Sequence, residues 1–171
     1  TTAGGVGALR AQNFTSDTQT NNTALGYFAG GVMTTGTGNT FLGSLAGDDC
    51  VDGVGNVAIG HGALSADAAD QNTAIGVAAL EANTASEATA IGYHAGKSNT
   101  TGVNFTAVGK QALEDNTTGA SNTAVGLVAL ADNTTGASNT GMGVASLRYN
   151  TTGNYNSAFG HNALKLPGKP L

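Results

Sequence analysis

Asn122-Thr-Ala-Val-Gly-Leu-Val-Ala-Leu130 is the phrase from which the chain is built. It returns as Asn22-Thr-Ala-Leu-Gly-Tyr-Phe-Ala-Gly30, Asn72-Thr-Ala-Ile-Gly-Val-Ala-Ala-Leu80 and Asn156-Ser-Ala-Phe-Gly-His-Asn-Ala-Leu164. Anchored on the central glycine, the copies stand at Gly5, Gly26, Gly43, Gly60, Gly76, Gly92, Gly109, Gly126, Gly143 and Gly160. The first interval is 21 residues; the others are 17, 17, 16, 16, 17, 17, 17 and 17. Self-similarity at a short fixed period marks a solenoid. Register, not local propensity, therefore decides the fold.

Stacking the copies assigns each column a task. Just before the anchor stands a large apolar residue: Leu25, Leu42, Ile59, Ile75, Ile91, Val108, Val125, Met142, Phe159. Two before it the residue is small (Ala24, Ala58, Ala74, Ala90, Ala107, Ala124, Gly141, Ala158), with Phe41 the exception; three before it stands Thr in most copies. Thr, Ala and an aliphatic residue in succession make a short strand with a bulky side and a smooth one. After the anchor come Ala at the third place, Leu or Gly at the fourth, and then charges that must face water. Each repeat closes in a turn, Asn-Thr-Thr-Gly at 99–102, 116–119, 133–136 and 150–153, where glycine is expected to supply a positive φ. The two 16-residue spacings lose their residue between the charged edge and this turn, where a stacked ladder tolerates it.

A rung of 17 residues suits two strands and two corners. The expectation is an all-β chain, a parallel β-solenoid of about ten rungs of 16–17 residues over 1–164, with an irregular insertion at about 10–21 and a connector at 165–171 that holds both prolines. Rungs about 4.8 Å apart give a rod on the order of 43 Å long. A leucine-rich-repeat arrangement, strand plus helical turn, needs a longer period of roughly 20–29 residues. Rungs this short bury little apolar surface against the entropy of ordering them. The alanine column is accordingly expected to pack against other copies of the chain, most simply around a three-fold axis as a homotrimer. The Asn column before the strand (Asn22, Asn39, Asn56, Asn72, Asn122, Asn139, Asn156) is expected to form an amide ladder, and Ile59, Ile75, Ile91, Val108 and Val125 an aliphatic one.

Composition narrows the function. Of 171 residues 27 are glycine and only 10% are charged, with a net charge of −5, so no basic stripe exists for nucleic acid. The single cysteine, Cys50, forms no intrachain disulfide and reads as an unpaired thiol near a corner. No run approaches the roughly 20 apolar residues of a membrane helix. The missing initiator Met and signal peptide suggest a segment of something longer.

The phrase Asn-Thr-Ala-Ile-Gly-x-x-Ala-Leu followed by Asn-Thr-Thr-Gly resembles the head repeats of trimeric (YadA-like) autotransporter adhesins, and still more the related repeats of phage tail-fibre and bacterial fibre proteins. The likeness covers about residues 1–164; the 17-residue period favours the tail-fibre-like branch, and the heptads of an adhesin stalk are absent. The resemblance implies a left-handed parallel β-roll, assembled as a trimer, extracellular on a virion or bacterial surface, and used for attachment to a host glycan or protein receptor. A passive spacer fibre without a ligand, and an ice-binding solenoid using the Thr column, are the alternatives.

No catalytic constellation or cofactor site emerges: the carboxylates lie on a solvated edge, and the glycines are spaced by the repeat with no phosphate loop. His61, His94 and His161 lie two and four rungs apart and cannot share a metal within one chain, so no metal site is assigned; in a trimer each could instead meet its symmetry mates. Seven Asn-x-Ser/Thr sequons occur, at Asn13, Asn21, Asn99, Asn104, Asn116, Asn133 and Asn150, four of them by-products of the turn phrase. A receptor surface should sit where the repeat is irregular: the loop 10–21, Phe41, the cluster Asp48, Asp49 and Asp52, and Tyr93 with His94.

Overall fold

The computed structural model describes residues 1–12 and 20–165; the expected insertion and the C-terminal connector fall largely outside them. Ten three-residue strands run in chain order: β1 (Thr2–Gly4), β2 (Thr23–Leu25), β3 (Thr40–Leu42), β4 (Val57–Ile59), β5 (Thr73–Ile75), β6 (Thr89–Ile91), β7 (Thr106–Val108), β8 (Thr123–Val125), β9 (Thr140–Met142) and β10 (Ser157–Phe159). Each pairs in parallel with the next in one sheet, so the chain is an all-β solenoid. The columns stay in file, Ile59 on Ile75, Ile75 on Ile91, Ile91 on Val108 and Val108 on Val125. No helix among the described residues is long and apolar enough to cross a membrane.

Each rung carries one strand, not the expected two. Beyond the anchor the chain runs through consecutive tight turns: Ala129 N–H donates to Gly126 O at 3.3 Å and Asn133 N–H to Leu130 O at 3.1 Å. Between these, Leu130 N–H reaches Ser146 O of the next rung at 3.0 Å. Val128 and Leu130 both hold φ of +49°, so the backbone reverses every second residue and cannot extend into a second strand.

The two sides of the strand are also the reverse of the expectation. Ala58, Ala74, Ala90, Ala107 and Ala124 point into the coil and are 0% exposed, so the alanine column is not a surface for other copies. The bulky column before the anchor points outward, with Leu25 56%, Leu42 43%, Ile91 38% and Met142 41% exposed. The cause is volume. Leu64, Leu80, Leu113, Leu130 and Leu147, fourth after the anchor, already fill the lumen together with the alanines third after it, and only a methyl fits opposite.

Where the leucine is missing, an aromatic ring takes its space. A Cβ on Gly47 would meet the Phe41 ring at 2.6 Å, and one on Gly96 the Phe105 ring at 3.1 Å. Both phenylalanines are fully buried. These breaks in the repeat are thus paired exchanges that conserve core volume.

The anchor glycines are fixed by close approach as well as by conformation. Gly126 has φ of +138°, and a Cβ there would lie 2.5 Å from Gly143 O one rung on. The turn glycines have a different reason from the expected positive φ. Gly102 is not left-handed; its Cβ would strike Gly119 O at 2.6 Å and Asn99 Oδ1 at 2.5 Å.

Candidate functional site

Two asparagine columns run inside the coil. In the expected one, Asn39 Oδ1 accepts from the Asn56 backbone N–H at 2.8 Å and its Nδ2 donates to Gly53 O at 2.7 Å. Asn122 and Asn139 repeat the pattern, with Asn122 Nδ2 on Gly136 O at 2.7 Å and Asn139 N–H on Asn122 Oδ1 at 2.9 Å. These side chains therefore clamp turn to strand, and their direct amide contacts are longer, 3.3 Å for Asn39 to Asn22.

A true amide ladder occurs elsewhere, in the first residue of the turn phrase. Asn99 Nδ2 donates to Asn83 Oδ1 at 2.6 Å, Asn116 to Asn99 and Asn133 to Asn116 at 2.8 Å, and Asn150 to Asn133 at 3.1 Å. The sequons at Asn99, Asn116, Asn133 and Asn150 are therefore buried and hydrogen-bonded in the folded coil. Their 17-residue recurrence was visible, but a turn phrase and an inward ladder look alike in sequence. Cys50 occupies the matching position two rungs before Asn83, beside the turn as expected, with its side chain 0% exposed inside the coil. Burial, the largest cause, pushes its thiol up to about 11, and Asp67, Asp52 and Asp70 add to this. In its place in the lumen it cannot meet a copy of itself across subunits.

The outward sheet face carries two columns. Thr73, Thr89, Thr106 and Thr123 alternate along their strands with Ile75, Ile91, Val108 and Val125 and share one side of the sheet. Just past the anchor, outside the strands, Tyr27, Val77, Tyr93, Leu127 and Val144 are also 40–55% exposed, but Ser44, His61 and Lys110 interrupt that column, so it is separate from the aliphatic one. No charged residue stands in the Thr or aliphatic column. A contiguous apolar stripe differs from singly scattered exposed side chains, which are ordinary on a solvated surface.

The irregular residues separate. Phe41 is 0% exposed and belongs to the core, so it is no contact residue. Asp49 and Asp52 are exposed on the edge, whereas Asp48 is half-buried with Oδ1 enclosed and unpartnered. Burial first, then Asp49, holds its carboxyl above the usual range. Among the described residues no group of three or more His, Cys, Asp or Glu could hold a metal ion. His61 and His161 are exposed; His94 is partly buried.

Tyr93 and His94 form a local constellation. Their rings stack at 3.8 Å and 16°. His94 Nδ1 lies 2.9 Å from Glu114 Oε1, and Gln111 Nε2 donates to Glu114 Oε2 at 2.6 Å. Lys110 Nζ stands 5.8 Å from the Tyr93 ring centroid. Lys110, Gln111 and Glu114 carried no sequence signal as partners, because only the coiling of one rung onto the next brings them beside His94. No protein-family model, curated protein or solved structure matches this chain.

Proposed function

We propose that the chain is an extracellular fibrous attachment module, a left-handed β-roll that assembles as a homotrimer and projects from a virion or bacterial surface toward a host glycan or protein receptor. One observation carries the reading: the coil closes its own core of alanine, leucine and asparagine, yet leaves a file of large apolar side chains outside it. A solvated rod has no use for such a file, whereas copies packed side by side along their length would bury it. The likeness of the repeat phrase to adhesin-head and tail-fibre repeats supports the attachment role and the three-fold number.

Light scattering tests the assembly. The expected mass is about three times the 16.7 kDa of the chain, and Ile75→Asp with Ile91→Asp should lower it to one chain while the β-sheet circular dichroism persists. A wild-type mass of a single chain refutes the trimer, and cell binding by the isolated rod separates an adhesin from a passive spacer. Ice binding claims the same surface, because the Thr column shares it with the aliphatic column. A face covered by other copies cannot meet ice, so thermal hysteresis from a single-chain species would favour that second reading.

A further inference from the structure

We infer that the corner formed by Tyr93, His94, Lys110, Gln111 and Glu114 is a shallow site for a neutral pyranose, stacked on the Tyr93 ring and held at its hydroxyls by Glu114 and Lys110. This rests on the attachment reading and names the ligand class. Tyr93 is 47% exposed, and stacking on His94 fixes its ring orientation. A fixed aromatic plane attracts the weakly positive C–H face of a sugar with little entropy to lose.

The polar half of the corner is equally well set. Glu114 is held from two sides by His94 and Gln111, and each oxygen retains acceptor capacity for a ligand hydroxyl. Lys97 is engaged with Glu81 at 3.4 Å, whereas Lys110 makes no ion pair among the described residues and keeps its donors. The same position is filled by Val77 one rung before and by Leu127 two rungs after, so stacking of the coil does not require this cluster. Sign selects the sugar: Asp115 follows Glu114 in the chain and its backbone N–H bonds Ala131 O beside Asp132 at 2.9 Å, so three carboxylates outnumber Lys110 along this edge and repel a sialic or uronic acid.

The test is binding of the full chain, in its native assembly, to an array of galactose-, glucose- and N-acetylhexosamine-terminated glycans beside sialylated and uronic ones. Binding should be confined to neutral termini. Tyr93→Ala should weaken it by tenfold or more, Glu114→Gln on the order of tenfold or more through loss of a charged acceptor, and the distant Tyr155→Ala not at all. Unchanged circular dichroism and mass would show that the variants fold. Absence of neutral-sugar binding at millimolar concentration, or binding that survives Tyr93→Ala, overturns the site. If the wild-type rod still adheres to cells in that case, the attachment reading stands without this ligand; if it adheres to nothing, both fall.

Discussion

Replacing Gly126 by alanine isolates the contact that sets the pitch of the coil. Two costs are expected. The backbone at φ of +138° lies where side chains are rarely tolerated, worth about 1–3 kcal/mol. The new methyl would also sit 2.5 Å from Gly143 O, backbone that can yield only if the two rungs separate; overpacking of this kind costs about 1–3 kcal/mol. Gly160→Ala separates the two terms, because Gly160 has φ of +116° but nothing within 4 Å of its would-be Cβ. Urea unfolding should therefore show a loss of about 2–6 kcal/mol for Gly126→Ala and about 1–3 kcal/mol for Gly160→Ala. In a solenoid the damage is local. Hydrogen exchange should accelerate at the amides joining rungs 126 and 143, such as Leu130 N–H, before those at Gly43. Equal losses in the two variants, or a neutral Gly126→Ala, would refute the close-approach account.

Two further outcomes follow from the core. Gly96→Leu should cost about 1–3 kcal/mol by overpacking and Phe105→Asn about 3–5 kcal/mol by emptying space. The double variant should lose less than the sum by about 0.5–3 kcal/mol, because φ of +57° at Gly96 matches +54° at Leu80, where leucine already fits; strict additivity in urea melts would contradict volume exchange. Cys50, raised from 9.0 to about 11 in the fold, ionises first in the unfolded chain. Its contribution is thus complete below about pH 9 and lost as pH rises through about 11, some ~1–3 kcal/mol measured as the stability difference from Cys50→Ala. A thiol reagent at pH 8 should modify it only on unfolding; rapid labelling of the native protein would place it elsewhere.

The order of the strands, their register and the length of each rung were legible in the sequence, because a period needs no knowledge of what each column touches. Ile59, Ile75 and Ile91 could only lie in file once the spacing was 16 and the anchors were glycines. The direction each column faces was not legible. A strand of three residues presents two sides, and hydrophobicity alone sends isoleucine inward and leaves alanine for a neighbouring copy. The three-dimensional coil reverses this, since the leucines beyond the anchor reach the lumen first and leave opposite them room for one methyl. The same closure places Phe41 inside, turns the asparagines of the turn phrase into a buried ladder, and carries Glu114 to His94 across 20 residues of chain. Period is a property of the chain; inside and outside are properties of a filled volume, and only the closed coil has one.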